Sequence, residues 1–149
     1  MEPDKAASAW YIKRHVDTQA VFEVRAQGFL FDAGTPFDTP QARYRRTQSA
    51  STLESLLRDH PSDDPVIVKL GQLMHDIEIN IWQPKRFAES AVIESRVRQL
   101  NGVAGGEAAP IECFIELFDG VYAWLKSQQR DPMSLAQPGG CEQHGRQGG

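Results

Sequence analysis

His75, Asp76 and Glu78, in the stretch LMHDIEIN at 73–80, are the residues whose types and spacing most directly suggest chemistry. A neutral imidazole and a carboxylate one helical turn apart can share a divalent cation such as iron, manganese or zinc. The same pair can move a proton, the carboxylate fixing the imidazole tautomer. Two residues at i, i+3 supply at most two ligands, so a metal needs further acids, and Asp119 is the candidate from later in the chain. The spacing is equally that of the wet face of an ordinary amphipathic helix.

A second constellation is acidic. Glu112, Glu116 and Asp119 fall at i, i+4, i+7 of a helical run and repel one another unless a cation or arginines face them. Basic residues are plentiful in the first third: Lys5, Lys13, Arg14, Arg43, Arg45 and Arg46. A guanidinium offers a planar fork of donors that suits carboxylates and tetrahedral oxyanions alike. Either these charges form surface ion pairs, which are worth little, or they meet His75 and the acids in a shared polar recess.

The elements that must position these groups are mostly helical. A short helix is expected at 8–16, with Ser8 as its cap. The Val- and Phe-rich run at 20–31, broken by Gly28, reads as one or two strands, and 42–48 as a polar edge strand. Ser51 with Glu54 forms a capping box, and Pro61 stops the helix that follows. Asp64 and Pro65 open the next helix, whose apolar stripe is Val66, Ile67, Leu70, Leu73, Met74 and Ile77. Further helices are expected at 84–100 and 111–128, the last with a continuous stripe from Ile111 to Leu125. The fold expected is α+β: one mostly helical domain over 1–128, with four to five helices and a small hairpin or sheet between about residues 20 and 48, followed by a disordered tail at 129–149.

Composition narrows the function classes. A formal charge of −4 gives no positive field to attract nucleic acid or an anionic membrane, so neither is expected as a direct partner. No apolar run approaches the ~18 residues that span a bilayer, and the start MEPDKAASAW is too acidic for a secretory leader. Cys113 and Cys141 show neither CxxC metal spacing nor a disulfide framework, Cys113 reading as a small buried hydrophobe. A reducing cytoplasm fits best. GxSxG, HExxH, Walker-type and GxGxxG motifs are absent from the sequence. His15, His60 and His144 are weaker candidates, and Trp10, Trp82 and Trp124 read as core.

An ordered series of segments resembles the chromate resistance protein family, at its ChrB C-terminal domain. DKAASAWYIKRHVDTQAVF at 4–22 is similar to the family's opening, with Asp4, Lys5, Trp10, Lys13, Arg14 and Asp17 in the matching places. TPFDTP at 35–40 resembles its Pro-Phe-Asp loop, placing Phe37 and Asp38. STLESLL, MHDIEI and FDGVYAWLK then follow in the family's order to about Lys126. The departures concern soft ligands. The family's cysteine before the first tryptophan falls at Ser8-Ala9, a glutamate at Val21, and a histidine and a cysteine at Arg46 and Ser51. A thiol-based reduction has no thiol at those places; Arg14, Asp17, Asp38, His75, Asp76, Glu78 and Asp119 are kept.

The resemblance implies a cytoplasmic binding or sensing domain for an oxyanion or a hard metal ion in a stress response. The ligand-binding residues expected are Lys13, Arg14, Asp17, Asp38 and Arg46; the metal-binding ones are His75, Asp76, Glu78 and Asp119. The alternatives are a metal-assisted hydrolase or reductase using the His/Asp/Glu cluster, and a protein-interaction module with a degenerate site, acting as a homodimer or through a regulatory protein partner.

Overall fold

The computed structural model describes residues 1–23, 34–103, 109–127, 135 and 141. Five helices carry the described fold: α1 (Pro3–Tyr11), α2 (Thr52–Asp59), α3 (Pro65–Glu78), α4 (Ala88–Val103) and α5 (Ile111–Lys126). A π-helical turn, Ile12–Val16, extends α1 and closes where the Asp17 N–H meets the Ile12 carbonyl at 2.7 Å.

α1 is the hub, packing against all four other helices. Its sequence explains why. Ala6, Ala7 and Ala9 are fully buried and have almost no side chain, so neighbouring helices approach its backbone from several directions. Trp10 and Tyr11 then fill the space at its C-terminal end. The largest buried side chains around it come from α2 (Leu53, Leu56), α3 (Ile67, Leu70, Leu73, Met74) and α5 (Phe114, Phe118). Gly71 leaves room on α3 for a side chain of α2: a Cβ there would stand 3.0 Å from Leu57 Cδ1.

Local signals set the helix starts. Ser51 Oγ accepts from the Glu54 N–H at 3.1 Å while Glu54 accepts from the Ser51 N–H at 2.6 Å, the expected capping box. Asp64 accepts from the Val66 N–H at 2.9 Å, with Pro65 in the first helical position, and the Tyr122 hydroxyl donates to the same carboxylate, tying α5 to the start of α3.

The α+β expectation is corrected: the fold is all-helical, and among the described residues there is no sheet. The segment expected as an edge strand at 42–48 makes only an isolated parallel bridge, Tyr44 with Phe37. Alternation along a segment makes a strand only when a neighbouring strand pairs with it. Here the alternating arginines each bond a separate partner, Arg43 to Asp59, Arg45 to the Pro40 carbonyl and Arg46 to Glu78. Residues 20–23 form no regular element, and the rest of the strand expected at 20–31 lies outside the described residues. α1 also begins earlier than expected, at Pro3, and Ser8 sits in its buried interior instead of capping it. α4 starts at Ala88, not residue 84.

The expectation of two unlinked thiols is corrected as well. Cys113 on α5 is joined to Cys141 in a disulfide, with Cα atoms 5.7 Å apart. Of the tail expected at 129–149, only Leu135 and Cys141 are described, and Leu135 is buried in the core. No described helix is long and apolar enough to cross a membrane.

Candidate functional site

The candidate residues divide between the two ends of α1. Ten residues at 1.5 Å of rise put Asp4 and Arg14 roughly 15 Å apart along the helix axis.

At the C-terminal end, three donors converge on one carboxylate. Trp10 Nε1 donates to Asp119 Oδ1 at 2.8 Å, and Arg14 donates through Nε to the same oxygen at 3.0 Å and through Nη2 to Oδ2 at 2.8 Å. Trp10 and Arg14 stand at i, i+4, so they share a face of α1 and its π turn. The Arg14 and Asp119 side chains are 42% and 44% exposed, whereas the Trp10 ring is buried. The indole is thus a fixed donor and the guanidinium a solvent-open one. Bonding to Asp119 holds the Arg14 guanidinium above its ordinary range; burial works against this, and the charges of Asp119 and Glu116 add to it. The acidic ridge therefore does face an arginine. Lys13 turns aside to donate to the Ala20 carbonyl at 2.7 Å, and exposed Asp17 ends the turn by accepting from the Gln19 N–H at 2.9 Å.

At the N-terminal end, the polar side chains are busy holding helix starts. Asp4 is 2% exposed, and its two oxygens accept from the Thr52 N–H at 2.8 Å and the Leu53 N–H at 3.0 Å. Burial pushes its carboxyl up to about 6; the two backbone donors oppose this, and the carboxylates of Asp38 and Glu78 reinforce it. Asp38 accepts from the Thr52 hydroxyl at 2.7 Å and pairs with Lys5 at 3.6 Å. It does so at φ 53°, a left-handed conformation that aspartate tolerates better than most residues. Glu78 pairs with Arg46 at 2.9 Å and also takes the backbone N–H of Asp4; burial pushes its carboxyl up, Glu2 adds to the rise, and those two bonds oppose it.

His75 is close to this end but bonds elsewhere. Its Nδ1 lies 3.0 Å from both carboxylate oxygens of Glu54, the capping-box residue of α2. Asp76 faces the other way, into α4. It accepts from the Arg86 N–H at 2.9 Å, the Phe87 N–H at 3.1 Å, the Ser90 hydroxyl at 2.6 Å and the Asn80 amide at 2.9 Å. Burial pushes the Asp76 carboxyl up, but these four donors outweigh it and bring it to about 2.

The donor set does not fit a metal. His75 is engaged with Glu54, Asp76 with the start of α4, Glu78 with Arg46 and Asp119 with Arg14. Among the described residues no group of three or more His, Cys, Asp or Glu side chains could hold a metal ion. Arg46, Asp38, His75 and Glu78 gather at one end of α1, Lys13, Arg14, Asp17 and Asp119 at the other. Early arginines do meet late acids, but in two places.

Three participants escaped sequence reasoning. Trp10 reads as core and is core, yet its N–H completes the Asp119 cradle; a tryptophan four residues before an arginine on one helix was the available signal. Glu54 is legible as a cap, not as the partner of His75. Asp4 follows Pro3 in what becomes the first turn of α1, and nothing local marks it as the cap of a helix 48 residues away.

A family model described as ChrB, C-terminal domain, matches residues 1–125. No curated protein and no solved structure matches the chain.

Proposed function

The chain belongs to the ChrB C-terminal domain family, which gives it a chromate-resistance-related role, and on that premise we propose that it responds to a tetrahedral oxyanion through the cradle of Trp10 and Arg14. The observation that supports this reading is the set of three N–H donors converging on the solvent-open carboxylate of Asp119. Chromate or sulfate presents the same feature as a carboxylate, two anionic oxygens on one centre that a guanidinium fork can take side-on. An exposed arginine–carboxylate pair is worth only about 0–1 kcal/mol, so displacing Asp119 costs an incoming anion little.

Exchange of Asp119 for the ligand gives the domain an output. Asp119 lies on α5, and its bonds to Trp10 and Arg14 link α5 to α1. A ligand that binds only the released state shifts the population toward it by its differential affinity. Lys13, turned aside to the Ala20 carbonyl, and Asp17, which closes the turn at the Gln19 N–H, shape the end of the helix that presents Arg14. Asp38 and Arg46 hold the frame at the far end. A regulatory partner or a second copy would read the freed face of α5.

Calorimetry with chromate, sulfate and molybdate tests this. Binding tighter than millimolar is expected, with Arg14→Ala weakening it roughly tenfold or more and Asp119→Asn strengthening it by loosening the internal competitor. Absence of binding, or an unchanged affinity in Arg14→Ala, overturns the reading.

A further inference from the structure

We propose that the recess between segment 41–50 and α2 is a second anion site, suited to a diphosphate-type group in place of a single tetrahedral oxyanion. The recess is open and about 720 Å³ in volume, lined by Arg43, Arg45, Arg58, Thr47, Ser49 and Ser55 with no acidic side chain on its described wall. That volume falls in the ~300–1,000 Å³ typical of small-molecule sites and far exceeds the needs of one sulfate-sized ion.

The charges are uncompensated where it matters. Arg43 is held by Asp59, through Nε at 3.0 Å and Nη2 at 2.7 Å. Among the described residues Arg45 donates only to the Pro40 carbonyl, a neutral acceptor that leaves its charge unbalanced. Arg58 makes no hydrogen bond or ion pair with any described residue, although its field reaches Asp59. Among the described lining residues and their ion-pair partners, three guanidiniums meet the carboxylate of Asp59 alone, a sum of +2 on a chain whose net charge is −4. Guanidinium forks bind phosphoryl oxygens bidentately, and Arg45 and Arg58 each have donors to give. The 47–50 turn beside them is already fixed, Thr47 Oγ1 accepting from the Ser49 N–H at 3.3 Å and the Ala50 N–H at 3.1 Å. This site goes beyond the Arg14 reading and does not depend on it.

The test is calorimetry of the full chain with inorganic pyrophosphate, with orthophosphate and sulfate as single-unit probes, at low and at physiological ionic strength. Pyrophosphate is expected to bind about tenfold or more tightly than either, and to weaken as salt rises. The double variant Arg45→Ala/Arg58→Ala should lose at least that factor, Asp59→Asn should gain affinity by freeing Arg43, and Arg14→Ala should bind as the parent does. Both substituted arginines are exposed, so the double variant is expected to melt as the parent does. Pyrophosphate that fails to bind, binds no better than orthophosphate, or binds the double variant equally well overturns the proposal. Loss in Arg14→Ala but not in the double variant also overturns it, and leaves the oxyanion reading standing.

Discussion

Asp4 and Thr52 join two helix starts across 48 residues of chain: the buried Asp4 carboxylate on α1 takes the Thr52 N–H at 2.8 Å and, with its second oxygen, the Leu53 N–H of α2. The bond satisfies donors that every helix leaves orphaned, but it does so by placing an acid out of water.

A pH dependence follows. The Asp4 carboxyl, pushed by burial from 3.8 to about 6, binds its proton more tightly in the folded chain than in the unfolded one. Its contribution is therefore fully present below pH 3.8 and is lost as pH rises through about 6, on the order of 3 kcal/mol by pH 7. Glu78, also raised by burial, acts in the same direction. Asp76, brought down to about 2, acts in the opposite one: it stabilises above 3.8, and that stability is lost as pH falls toward 2. Urea midpoints measured from pH 3 to pH 8 should peak at about pH 4. Asp4→Asn should flatten the descending limb, and a midpoint climbing steadily from pH 4 to pH 7 would refute the assignment.

Asp76 is expected to act as a structural residue. Asp76→Ala leaves the Arg86 and Phe87 N–H groups and the Ser90 hydroxyl without their acceptor. The loss should be about 3 kcal/mol or more, with Asp76→Asn intermediate. A urea midpoint within experimental error of the parent would contradict this.

Ser8 marks a place where stability can be gained. Its hydroxyl is buried in α1 with no hydrogen-bond partner among the described residues. Ser8→Ala removes an unsatisfied polar atom and improves helix propensity, so stabilisation of about 1 kcal/mol is expected. A lower melting temperature would show that the hydroxyl has a partner in solution.

Arg14 and Asp119 should separate binding from folding. Being a solvent-open pair, Arg14→Ala and Asp119→Asn should each change stability by less than about 1 kcal/mol while moving oxyanion affinity in opposite directions. Variants that unfold instead would make the pair a structural clamp.

The Cys113–Cys141 link encloses a sequence separation of 28. Loop-closure entropy for such a span is worth about 3–4 kcal/mol. Dithiothreitol, or Cys141→Ser, should lower the melting temperature correspondingly; insensitivity to both would show that the bond does not form in solution.

What was legible in the sequence was local. The Ser51–Glu54 box and the Asp64–Pro65 start are satisfied within four residues, and the α5 stripe needs only its own periodicity, so all three appear where expected. The 42–48 segment misled because Arg43, Arg45 and Arg46 alternate with Tyr44 much as an edge strand would, while the carboxylates that claim Arg43 and Arg46 lie 16 and 32 residues along the chain. α1 carries no amphipathic stripe because it is buried nearly all round, so alanines marked it poorly and Ser8 gave a false start. His75 falls on the face of α3 opposite the centre of its apolar stripe, as ~100° per residue requires, but angle alone does not say that Glu54 waits there. Asp76, on the same helix, meets the first turn of α4 in place of solvent, which only the packing of α3 on α4 decides.

The bond between Cys113 and Cys141 also holds the chain together after a cut. A protease that nicks the backbone anywhere between those two positions cannot shed the far piece, because the sulfur bridge still fastens it to α5. On a denaturing gel the cleaved molecule would migrate whole until a reductant is added, and then split in two.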